Sequence, residues 1–124
     1  MIIVNDAIYM VRGDDEVIEV STVDSNGDEY VLGPNDVLTL TIRSAPKRES
    51  EIIFSVSSAP GSNRIIIRHE NTAQMEYGAY SADIQLTTAD GYRKTVWPPL
   101  TDSTSRLRSG NMRNFNIASE VTMI

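Results

Sequence analysis

The stretch that decides the fold is MEYGAYSADIQL, residues 75–86. From Tyr80 to Leu86 every second residue is aromatic or aliphatic and the residues between are polar, which is the period-two pattern of a strand with one buried face. Gly78 comes just before this pattern, and glycine reaches backbone angles that substituted residues avoid. The stretch therefore predicts a turn at Gly78 followed by a long strand whose inward row starts at Tyr80.

Tyr80 stands two residues after the glycine, at the entry to the strand. This placement resembles the tyrosine corner of immunoglobulin-like sandwiches, in which the ring packs in the core and the hydroxyl bonds backbone a few residues upstream. We therefore expect Tyr80 to be buried, with its hydroxyl bonded to the backbone of residues 71–77. The alternative is an ordinary glycine turn before an ordinary strand.

Short apolar or alternating runs occur along the rest of the chain, with turn residues between them. They are residues 2–4, 7–11, 17–23, 29–32, 37–43, 52–56, 64–68, 92–97 and 115–121. In the clearest run, 37–43, we expect Leu38, Leu40 and Ile42 to face inward, and in the next run Ile52, Phe54 and Val56. Residues 70–76 could form a single helical turn. This pattern predicts an all-β sandwich or barrel of seven to nine short strands, with all 124 residues in one domain. Together with the resemblance to a tyrosine corner, it leads us to expect an immunoglobulin-like antiparallel β-sandwich.

Asn26-Gly27 is the strongest hairpin signal, because this pair tolerates the positive φ angles of a type I′ turn. The surrounding acidic residues also suggest a calcium loop. An EF-hand loop that started at Asp24 would need glycine at position 29 and glutamate at position 35, where the chain has Glu29 and Asn35. We therefore interpret this segment as a plain turn.

Charge and composition exclude several classes of protein. The chain has 17 acidic and 11 basic residues, and nine of the acids lie in the first 36 residues, against Arg12 alone. Such a balance argues against a dedicated nucleic-acid binder. The absence of cysteine excludes disulfides and thiolate metal sites. We find no signal peptide and no apolar run of membrane-spanning length, so we expect synthesis in a cytoplasm and no membrane contact.

No group of residues points to catalysis. His69 is the only histidine, and no nucleophile elbow or phosphate-binding loop is present, so we expect His69 to face solvent at a strand end and predict no enzyme, cofactor or metal. The acidic residues 14–16 alternate in direction on a strand and so do not converge easily on a metal. Arg12-Gly13-Asp14 matches the integrin tripeptide, a match that chance readily produces.

Trp97 stands at the end of a run and is followed by two prolines. An exposed tryptophan there could stack on a sugar or a base, whereas the alternative is a core residue at a strand end. We keep Trp97 as a candidate interaction residue.

The order of these motifs resembles the immunoglobulin-like domains of phage tail and baseplate structural proteins, including the amino-terminal domain of baseplate upper proteins. The matching pieces are Arg12-Gly13-Asp14, Tyr30, Asn35-Asp36 before Val37, Gly78, Tyr80, Asp83-Ile84, Asp90-Gly91, Thr95-Val96 and Glu120-Val121-Thr122. The resemblance implies a non-enzymatic virion or prophage component that binds other tail proteins or itself and resides in the virion. A carbohydrate-binding or adhesion module that uses Trp97 is the alternative.

Residues 98–111 form a polar stretch that looks like an insertion relative to those domains. It carries Arg106 and Arg108, with Arg113 nearby, whereas the first third of the chain is acidic. Arginine pairs well with carboxylates at interfaces. We therefore expect a mobile loop that docks on the acidic part of a neighbouring copy or of an acidic partner, or else a plain solvated insertion.

Overall fold

The computed structural model describes residues 2–4, 7–22, 26–45, 49–97 and 115–118, and the side chains of all of these except residues 2–4 and 7. The strands in this part of the chain are β1 Ile2–Val4, β2 Ala7–Val11, β3 Glu16–Glu19, β4 Val37–Arg43, β5 Ile52–Ser57, β6 Arg64–Ile67, β7 Gly78–Thr87, β8 Arg93–Trp97 and β9 Phe115–Ala118. One short helix, α1, spans His69–Thr72. The predicted all-β class is confirmed, and the two sheets form a sandwich-like fold.

Strand β7, which contains most of the 75–86 stretch, organises the larger sheet. Along most of its length it pairs antiparallel with β4, and it also pairs with β8 and, through Gly78 to Tyr80, with β9. The order is β1-β2-β9-β7-β4-β5, with β8 attached to β7. A smaller sheet contains β3 and β6, which pair antiparallel.

One core joins the two sheets. The inward rows of β4 and β7 follow the predicted period of two, and the three predicted inward residues of β4 are fully buried. Each strand of the smaller sheet contributes one row of apolar side chains to this core. The core residues are Ile8, Met10, Ile18, Val20, Leu38, Leu40, Ile42, Ile65, Ile67, Met75, Ala82, Ile84, Leu86, Phe115 and Ile117.

Strand β9 pairs parallel with β2, from Ile8 opposite Phe115 to Val11 opposite Ala118. The sheet is therefore not antiparallel throughout. Periodicity identifies which face of a strand is buried, but it carries no information about the direction of a neighbour. Only the tertiary structure shows that β9 lies between β2 and β7.

Strand β5 departs from its predicted pattern. Its register against β4 shifts between Ile42 and Arg43, so that Phe54 faces Ile42 and Ile52 faces Arg43. The extra residue is Ile53, which packs against the core, whereas Ile52 is 52% exposed. The expectation that Ile52 faces inward was wrong, because a β-bulge reverses the faces beyond it.

The predicted hairpin at Asn26-Gly27 is present only in part. Gly27 has the positive φ, 85°, that such a turn requires, and Tyr30 N donates to Thr22 O while the Thr22 hydroxyl donates to Tyr30 O. Strand β3 ends at Glu19, however, and residues 29–32 do not form the returning strand that we expected. Among the described residues, these two hydrogen bonds join Thr22 to Tyr30.

Candidate functional site

One end of the sandwich is closed by residues 69–77, the segment that contains α1 and connects β6 to β7. The helix starts where the Asn71 side-chain oxygen accepts a hydrogen bond from Arg68 N at 2.8 Å. Thr72 is buried, and its hydroxyl oxygen accepts a hydrogen bond from Gly13 N. Met75 extends into the core. Buried residues therefore anchor the 69–77 segment on the sandwich and leave its polar residues at the surface.

Arg12 is bound by the 69–77 segment. Its guanidinium donates to Tyr77 Oη at 2.7 Å and to Met75 O at 3.3 Å, and it lies over the Tyr77 ring, 4.4 Å from the centroid. These contacts combine hydrogen bonding with the attraction between a cation and the face of an aromatic ring. The arginine of the Arg-Gly-Asp tripeptide is thus held by its own chain.

His69 lies at the start of α1 and is exposed, as expected, but it has partners that the sequence did not indicate. Asp15 Oδ1 accepts a hydrogen bond from His69 N at 2.6 Å and lies 3.0 Å from His69 Nδ1. Glu70 Oε2 lies 3.0 Å from His69 Nε2. The hydrogen bond to Asp15 and the nearby charge of Glu70 raise the pKa of His69. The hydrogen bonds from the His69 backbone and ring lower the pKa of Asp15.

A groove opens between the start of β5 and the 69–77 segment, with a volume of about 580 Å³. We call it the β5 groove; its lining residues are Ile53, Phe54, Glu70, Asn71, Gln74, Met75, Glu76 and Tyr80. Two aromatic rings, an isoleucine and a methionine supply apolar surface, whereas two glutamates, an asparagine and a glutamine are polar. Such a mixture suits a ligand with an apolar body and a charged or polar end.

Tyr80 forms part of this groove and also makes the hydrogen bond predicted for it. Its hydroxyl donates to Glu76 O at 2.7 Å. The ring packs against the core but is half-buried rather than fully buried, because one side of it lines the groove. Gly78, between these two residues, has a φ of 137°, in the region that favours glycine.

The edge of β5 next to the groove has no strand paired to it in the described part of the chain. Ser58 N donates to Leu38 O, so the alternation of an antiparallel ladder places the hydrogen-bonding groups of Val56 and Phe54 toward β4. The backbone groups of Ser55 and Ser57 therefore point away from β4. Their hydroxyls approach Thr41 and Thr39 across the ladder, as expected for the pairs that share no backbone hydrogen bonds.

A second cavity, of about 300 Å³, lies beside residues 20–22, 29–32 and 61–63. Next to it the Tyr30 hydroxyl donates to Asp36 Oδ2 at 2.7 Å, and Gly33 N donates to the same oxygen at 2.9 Å. Asp36 is only 5% exposed. The hydrogen bond that the Tyr30 hydroxyl donates to the Asp36 carboxylate raises the pKa of Tyr30. This network holds the turn before β4, a structural task.

The described residues among the predicted site residues lie in three separate parts of the fold. Trp97 is half-buried, faces Ile84 across the β7–β8 ladder and packs against the core. Asn26 and Gly27 lie in an exposed turn. Arg106, Arg108 and Arg113, together with the 98–111 loop, lie outside the described residues. Among the predicted site residues that the structure describes, Tyr80 lines the β5 groove.

Sequence reasoning missed the groove and the contacts of Arg12 and Asp15. The glutamates at positions 70 and 76 and the tyrosines at 77 and 80 were visible, but nothing in the local pattern brings them to β5. Within the described residues no group of histidine and carboxylate side chains is arranged to hold a metal ion. In the same part of the chain no helix has the length and apolar character to cross a membrane.

No protein-family model and no curated protein matches the chain.

Proposed function

We propose that this protein is a non-enzymatic structural module that helps to assemble a bacteriophage or prophage tail or baseplate, where it binds other virion proteins. The observation that carries the proposal is the edge of β5 to which no strand is paired among the described residues, in a strand that also contributes Ile53 and Phe54 to an open groove. An exposed strand edge offers backbone hydrogen bonds to a second chain, and a neighbouring groove adds side-chain specificity.

The fold class supports this function. An all-β sandwich of this size hosts many binding modules, and the immunoglobulin-like motifs in the sequence resemble those of tail and baseplate domains. Two acidic residues with hydrogen-bond partners have structural tasks: Asp36 holds the turn before β4 through Tyr30 and Gly33, and Asp15 fixes the start of α1 through His69. A module of this kind acts by presenting surface.

Complex formation with the products of neighbouring genes tests the proposal, because tail genes occur in clusters. We expect the purified chain to form a stable complex when it is mixed with such a protein. The complex should elute as one peak in size-exclusion chromatography, and light scattering measures its mass. Neighbouring genes unrelated to tails, together with no complex, would contradict the proposed function.

A carbohydrate-binding module is the other candidate function, and Trp97 is its central residue. The packing of Trp97 against the core removes part of its ring from any stacking platform. Glycan titrations followed by fluorescence are expected to show no saturable binding. Saturable binding that Trp97→Ala abolishes would favour the carbohydrate-binding function instead.

A further inference from the structure

We propose that the β5 groove and the edge of β5 that is unpaired within the described residues bind an extended, arginine-bearing segment of a partner protein, an inference that rests on the proposed assembly function. The segment would add as a strand beside β5 and place an arginine side chain in the groove.

The backbone of β5 defines the first contact. Ser55 and Ser57 are exposed and direct their amide and carbonyl groups away from β4. An added strand satisfies such groups through main-chain hydrogen bonds, and this contact is largely independent of the added sequence. Affinity at this edge therefore comes from the backbone, and specificity must come from side chains.

The side chains of an added strand alternate between the two faces of the sheet. Those on the core side would lie on the same face of the sheet as Phe54, which lines the β5 groove. Tyr80 and Met75 form other apolar walls of the groove. A long side chain with an apolar stem fits this position better than a short polar one.

The negative charges that line the groove favour a cation at the end of that side chain. Glu70 and Glu76 both line the groove, and the described residues contain no ion pair that involves Glu76. Glu70 lies beside His69, which leaves Glu76 as the main partner for an incoming charge. The whole chain carries a net charge of −6, which attracts basic partners during encounter.

The contacts of Arg12 show how the 69–77 segment accommodates an arginine. Arg12 stacks on Tyr77 and donates to Met75 O from another side of the same segment. In the β5 groove Tyr80 offers a second ring and Glu76 a carboxylate. A planar guanidinium both stacks on a ring and pairs with a carboxylate, whereas a lysine ammonium does this less well. Arginine is therefore the chemistry that the groove fits.

Binding of a synthetic peptide tests the inference. The probe is the blocked peptide acetyl-Thr-Val-Arg-Val-Thr-Val-Thr-amide, titrated into the ¹⁵N-labelled full chain at low salt and followed by amide chemical shifts. We expect the largest shifts at Ser55 and Ser57 and in the 69–77 segment. A matched peptide with citrulline in place of arginine has the same shape without the charge, and should bind about three- to tenfold more weakly. Equal affinity of the two peptides, or shifts elsewhere on the molecule, would overturn the proposal.

Matched variants test the edge of β5 and the β5 groove separately. Ser55→Pro removes an outward amide hydrogen without removing a backbone hydrogen bond to β4, whereas Ser55→Ala keeps that hydrogen. Both variants lose the hydroxyl that approaches Thr41, so the comparison isolates the amide. Ser55→Pro should abolish peptide binding and Ser55→Ala should leave it unchanged; equal binding by the two would count against edge pairing. Glu76→Gln should reduce the preference for arginine over citrulline to near unity, and it provides a test in case Ser55→Pro does not fold.

The same variants separate this inference from the proposed function. A complex with a neighbouring gene product that survives both Ser55→Pro and Glu76→Gln would leave the assembly function standing and overturn the assignment of this surface. Peptide binding without any such complex would instead count against the assembly function. Concentration-dependent dimerisation of the chain that Glu76→Gln abolishes would make a second copy the occupant, and would overturn the assignment to a partner protein.

Discussion

At the scale of single residues, the Tyr80 hydroxyl connects β7 to the end of the 69–77 segment through its bond to Glu76 O. Tyr80→Phe removes this bond and keeps the ring. We expect the free energy of unfolding to fall by about 1 kcal/mol or somewhat less, because the site is half-exposed and water replaces part of the bond. Urea denaturation measures the change.

Tyr92→Phe is the control for that measurement, since Tyr92 is 63% exposed and lies in the turn before β8. Its urea midpoint should stay within error of the parent. A Tyr80→Phe protein that unfolds at the same midpoint would show that the bond to Glu76 O contributes nothing to stability.

His69 makes stability depend on pH through its contacts with Asp15 and Glu70, with Arg68 as the opposing charge. Because folding raises its pKa above the ordinary 6.5, its contribution is complete below pH 6.5 and is lost as the pH rises through the folded-state value. The pKa of Asp15 is lowered from 3.8, so its contribution is present above that pH and is lost in stronger acid. Their joint contribution should therefore be greatest between about pH 4 and 6.5.

Proton NMR of the His69 ring measures this directly. Its titration midpoint should lie above 6.5 in the parent and should move down in Asp15→Asn. The stability difference between the parent and His69→Gln should be larger at pH 5.5 than at pH 8.5. A pH-independent difference would mean that the protonated ring gains nothing from these carboxylates in the folded protein.

At the scale of elements, β4 and β5 show how the burial of a side chain depends on the way its strand is paired. Leu40 is fully buried in β4, a strand flanked on both sides, whereas Ile52 lies beyond the bulge in β5 and is 52% exposed. Leu40→Ala should lower the free energy of unfolding by about 2–5 kcal/mol, through lost transfer energy and a residual cavity. Ile52→Ala should cost less than about 1 kcal/mol, because little surface is buried there. Comparable losses in the two variants would contradict the position of the bulge.

At the scale of the whole molecule, β9 joins the β1–β2 hairpin to the rest of the larger sheet, since it lies between β2 and β7. Phe115 is fully buried and packs edge-on against Phe54, with ring centroids 6.1 Å apart. Phe115→Ala should cost about 3–5 kcal/mol. Hydrogen exchange should then show lost protection in β2 as well as β9, whereas Phe115→Leu should retain most of it. Protection of β2 that persists in Phe115→Ala would mean that the hairpin is held independently of β9.

Much of the local structure was predictable because it depends on neighbours in the chain. Alternation located β4 and β7 and their buried faces, Gly78 marked the turn, and the spacing between Gly78 and Tyr80 indicated the hydroxyl bond that the structure contains. Steric limits on φ and the period of two in a strand act over a few residues. These features could therefore be derived from the sequence alone.

The tertiary structure decided what depends on distant residues. Arg12 meets Tyr77 across 65 positions, Asp15 meets His69 across 54, and β9 aligns parallel with β2 from the opposite part of the chain. The bulge that turns Ile52 outward also follows from register against β4. No local pattern encodes these pairings, because they result from the joint packing of all strands around one core. The β5 groove forms at one such meeting of distant segments, and for that reason only the folded molecule shows it.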